Sequence, residues 1–179
     1  MGFNINMLKE ERYLIPLKIV AVYVGWKVFY HFASIEGSTL HIAWVKLCTH
    51  IGSWYAAVTS AILTRGGIYA SADGININLL AYHKQIWVLE HCLAIPAMVV
   101  FTGAVVFFKG SWRDKAWFIP LGLAGIVLLN ILRLTVVSIA WVRLTPYFFY
   151  FHHTFVYAIG TYAFILLLLV WWMRRQKAA

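Results

Sequence analysis

Residues 117–142 read WFIPLGLAGIVLLNILRLTVVSIAWV, an apolar run broken by one charge, Arg133. A run of about 18 or more such residues is long enough to cross the hydrocarbon core of a bilayer as a helix. Trp117 and Trp141 stand near its two ends, where amphipathic rings favour the headgroup level. No acid inside the run neutralises Arg133. A charge at that depth is expensive enough for function to be the first explanation, with snorkelling to the headgroups as the plain alternative. The stretch therefore sets the reading of the whole chain: a membrane helix with a working residue inside it.

The rest of the composition agrees. Of 179 residues, 63% are hydrophobic and 12% charged, against about one quarter charged in an average soluble domain. The first apolar stretch, 13–32, reads as a crossing helix despite Lys18 and Lys27. The second, 41–64, holds Lys46, Cys48, Thr49, His50 and Ser53, and reads as a crossing helix or an amphipathic helix at the outer face. Two more crossing helices are expected at 95–108 and at 152–173, the latter containing ILLLLVWW. Between them, 65–91 includes GGIYASADGININLL, whose Ile75, Asn76, Ile77, Asn78 alternation suits a short strand or hairpin in an external segment. The fold class expected is an all-α polytopic membrane protein: a single membrane domain over 1–179 with about four to five transmembrane helices and that small hairpin.

Charge gives orientation. Lys/Arg-rich short loops stay on the cytoplasmic side, which puts KGSWRDK at 109–115 and the tail with Arg174, Arg175 and Lys177 inside. The amino terminus belongs there by the same rule and lacks the pattern of a removable signal peptide, so the first helix is expected to remain in the mature protein. Five crossings break parity. A non-crossing 41–64 at the outer face restores it, with four crossings and both termini inside. The net charge of +9 follows from these helix ends and no nucleic-acid-binding pattern accompanies it.

Three polar positions then converge on the outer face. Cys92 lies four residues before Pro96, a residue tolerated in a helix's first turn, so it is expected at the start of a helix, whose positive end favours a thiolate. Counting about 1.5 Å per residue from Ala116 puts Arg133 roughly 25 Å up its helix, level with Cys92. Asn130, three residues earlier, shares its face and is placed to orient the guanidinium. His152 and His153 precede the last apolar run. Taken singly, each has a plain reading: a cysteine is a small hydrophobe, and a histidine pair at an interface is simply wetted. Arriving together from three helices, they describe a cysteine acyl-transfer site, with imidazole to activate the thiol and arginine to stabilise an oxyanion. Cys48 has no such setting. The histidines near this face, among them His83 and His91, show no ligand-pair spacing, so no metal and no cofactor are expected.

EHCLAI at 90–95, NILRL at 130–134 and FHHTF at 151–155, in this order and with a basic loop between the first two, resemble the exosortase and archaeosortase membrane transpeptidases. The resemblance covers about residues 85–173. Leu93 and Ala94 depart from the small residue and glycine that follow the cysteine in the more familiar members, and the chain is closer to short, minimal ones. It implies a cysteine peptidase or transpeptidase in the cell (inner) membrane, its site facing the exterior. The catalytic residues would be Cys92, Arg133 and His153, with His152 the second choice for the histidine. The partners implied are membrane lipid and exported proteins bearing a carboxy-terminal motif, a transmembrane helix and a basic cluster. A polytopic transporter or a non-catalytic assembly subunit are the readings that compete with it.

Overall fold

Ser38 caps the start of a long helix: its backbone is extended, and its hydroxyl oxygen accepts the His41 N–H at 3.0 Å, satisfying one of the amides that a helix start leaves unpaired. In this computed structural model, which describes residues 5–108, 110–143 and 157–178, that helix is α2 (Thr39–Arg65), preceded by α1 (Ile5–Ala33). A small sheet follows, of β1 (Ala70–Asp73), β2 (Asn76–Leu79) and β3 (Lys84–Trp87), then α3 (Ile95–Phe107), α4 (Trp112–Arg143) and α5 (Tyr157–Ala178).

The sheet is antiparallel throughout, in the order β1-β2-β3. Asp73 pairs with Asn76, leaving a two-residue turn whose first residue, Gly74, has φ +56°, as the tight hairpin turns require. The segment expected to form a hairpin thus forms one and adds a third strand. Its inner side rests on α2, where Trp44, Cys48, Gly52, Tyr55, Thr59 and Leu63 make a buried stripe at helical spacing. Gly52 lets the two layers meet: a Cβ there would lie 2.9 Å from the Val88 carbonyl oxygen and 3.2 Å from the Ile75 side chain. A second apolar cluster joins α3, α4 and α5 around Phe101, Phe118, Ile126 and Trp172, all fully buried. The Phe101 ring occupies the space that a side chain at Gly122 would need.

The expected bundle of four to five crossing helices is overturned. Among the described residues one helix, Trp112–Arg143, is long and apolar enough to cross a membrane, and the fold is not all-α. The reason is clearest in α2 and α3. α3 has 13 residues, about 20 Å at 1.5 Å each, against about 30 Å of hydrocarbon. α2 uses its apolar stripe to cover the sheet. The basic loop at 109–115 is also shorter than expected, because Arg113 and Lys115 belong to the first turn of α4. Lys115 is buried, donates to the Val106 carbonyl at 2.8 Å and lies 5.0 Å from the centre of the Trp112 ring. It ties the end of α3 to the start of α4.

Candidate active site

After β3 the chain makes a single 3-10 turn, Glu90–Cys92, in which the Cys92 N–H donates to the Leu89 carbonyl at 2.8 Å and the Leu93 N–H to that of Glu90 at 3.1 Å. Ala94 follows with φ +57°, and α3 starts at Ile95 with Pro96 in its first turn. Cys92 is therefore set just ahead of α3, in a turn of its own, and not in the helix's first turn. It is 8% exposed.

α4 supplies the other side. Asn130, fully buried, donates its amide N–H to the Cys92 carbonyl at 2.6 Å. One turn further on, Arg133 lines a cavity of about 250 Å³ together with Cys92, with Gln85, Ile86 and Trp87 of β3, and with Trp141. Lys84 closes the far end of β3 onto α4 by donating to the Trp141 carbonyl at 2.7 Å, its ammonium 5.1 Å from the centre of that ring. The structure thus brings Cys92 and Arg133 to one cavity beside the sheet. His152 and His153 lie outside the described residues. A thiol and a guanidinium facing one small space supply a nucleophile and a fork of donors suited to the oxygen of a carbonyl under attack.

Glu90 escaped the reading of the sequence. Its carboxylate accepts the Tyr30 hydroxyl and, at 3.1 Å, the Trp44 indole N–H. It thereby ties the turn that carries Cys92 to both α1 and α2. The available signal was its isolation, for it is the one acid between Asp73 and Asp114. His91 turns the other way and lines a separate cavity of about 220 Å³ with Trp26, Lys27 and Glu90. Cys48 is buried in α2, and that burial, helped by the Glu90 charge, pushes its thiol up to about 11; such a thiol is inert at neutral pH. Among the described residues, no three His, Cys, Asp or Glu side chains gather to hold a metal ion. Compared with known families, with curated proteins and with solved structures, the chain matches none.

Proposed function

We propose that the protein is an exosortase-like cysteine peptidase or transpeptidase of the cell membrane, which cleaves the carboxy-terminal sorting signal of exported proteins at the outer face. The observation that carries this reading is the cavity shared by Cys92 and Arg133. It lies toward the Arg143 end of α4, away from the basic residues at the helix's start, which fits a site on the side opposite the cytoplasm. A substrate of this kind presents its scissile bond where its own membrane helix leaves the bilayer.

In the mechanism the Cys92 thiol gives its proton to His153, and the thiolate so formed attacks the scissile carbonyl carbon. Arg133 stabilises the tetrahedral oxyanion. Collapse breaks the C–N bond, His153 protonates the departing amine, and the thioester remains on Cys92. Water or an amine acceptor then attacks the thioester, giving back the thiol. The test is processing of a co-expressed protein with a carboxy-terminal motif, helix and basic cluster, at matched enzyme abundance. Cys92→Ala is expected to abolish shortening of the substrate while Cys48→Ala leaves it intact. Normal processing by Cys92→Ala would sink the proposal.

A further inference from the structure

Among the described residues, the sheet that borders the cavity ends in an open edge. Among the described residues β3 pairs with β2 alone, and the Val88 N–H donates to the Ile75 carbonyl at 2.9 Å, so 75 and 88 form a hydrogen-bonded pair. Such pairs alternate along an antiparallel ladder. Ile86, opposite Ile77, and Lys84, opposite Leu79, are the next bonded pairs, and Gln85 and Trp87, which alternate with them, direct their N–H and C=O groups away from β2. No backbone partner meets these groups among the described residues. Yet Gln85, Ile86 and Trp87 all line the cavity of Cys92 and Arg133. Successive strand residues point to opposite faces, so a cavity touching all three runs along the strand's edge and not under one face.

Open edges are normally blunted by proline, by bulges or by charge. β3 reads KQIW, and its one charge, Lys84, is held on the Trp141 carbonyl. Trp87, 60% exposed, offers an apolar surface at the same place.

We infer that this edge takes the substrate: an extended peptide segment pairs with β3 as a fourth strand and so delivers its scissile carbonyl into the cavity of Cys92 and Arg133. Main-chain donors and acceptors repeated every second residue fit an extended chain and no other backbone form. The inference rests on the peptidase reading above, and it explains how a small enzyme could hold the backbone near the cut while leaving the side chains loosely specified.

The test uses the full-length chain and a probe, acetyl-hexaalanyl chloromethyl ketone, whose methylene carbon forms a bond to the Cys92 sulfur as chloride leaves. Labelling of Cys92 is followed by peptide mapping, with glutathione and iodoacetamide as references. Single N-methylations are walked along the probe. Expected is an alternating pattern, in which methylation at every second residue slows labelling about five- to tenfold, the loss of one main-chain hydrogen bond, and the intervening positions have no effect. Gln85→Pro, which removes an outward N–H but no bond to β2, is expected to slow the peptide probe about five- to tenfold relative to iodoacetamide. Fast labelling of Cys92 by the peptide with no alternation and no effect of Gln85→Pro would overturn strand pairing while the cysteine reading stands. If the peptide shows no advantage over iodoacetamide, each scaled to glutathione, the peptidase reading falls and the docking mode with it. If Gln85→Pro converts a dimer to a monomer, the edge belongs to a second copy of the chain and the inference is wrong.

Discussion

Asn130→Ala tests the most specific contact in the site. The side chain is fully buried and its amide donates to the Cys92 carbonyl at 2.6 Å. Removing it deletes this hydrogen bond, about 1 kcal/mol net, and takes from the Cys92 carbonyl its Asn130 donor, a penalty of about 1–3 kcal/mol for a buried group. Some relaxation of the 3-10 turn offsets part of this, so a loss of about 2 kcal/mol is expected. For a chain of this size that lowers the unfolding midpoint by roughly 4–8 °C. The freed turn should also present Cys92 less uniformly to the cavity, slowing its alkylation. Asn130→Asp keeps the volume but puts a carboxylate oxygen against the carbonyl, and is expected to cost more than alanine. Thermal unfolding of the purified protein, with the alkylation rate of Cys92 in the same samples, measures both effects. Wild-type midpoint and wild-type alkylation in Asn130→Ala would refute the idea that this amide holds the turn.

Two further outcomes follow from the backbone around the site. Gly52→Ala forces a Cβ to 2.9 Å from the Val88 carbonyl oxygen, a backbone atom with little freedom, so a destabilisation of about 1–3 kcal/mol is expected from thermal unfolding. Ala94→Gly relieves a left-handed residue at φ +57°, which is expected to stabilise by about 1 kcal/mol and to raise the midpoint by roughly 2–4 °C; a lower midpoint would mean that the buried methyl group matters more than the backbone.

How far the sequence was readable differs from element to element. α4 was legible because an apolar run with one charge has few other readings, and counting along it placed Arg133 level with Cys92. The number of crossing helices was not legible from hydropathy. Apolar residues such as Tyr55, Ala56 and Leu63 report that they avoid water, but not whether lipid or a sheet covers them; in α2 they are buried in a core shared with the sheet residues Ile77 and Leu79. β3 was missed because four residues carry almost no periodicity, and the turn between β2 and β3 has no glycine: His83 takes the left-handed position at φ 51°.

The site was half legible for a related reason. Residue type announces side-chain chemistry, so Cys92 and Arg133 could be picked out, whereas the partner of Asn130 is a main-chain carbonyl that any residue would provide. The same limit hid the open edge of β3, which consists only of backbone. Asn130 and Arg133, three residues apart on α4, act on one neighbour in different ways: the amide fixes the main chain of Cys92, and the guanidinium faces the cavity that Cys92 lines. One turn of α4 thus both anchors the Cys92 backbone and carries the guanidinium that faces it. Under the proposed peptidase mechanism, rigid placement of this kind would let Arg133 act on a developing oxyanion without reorganising.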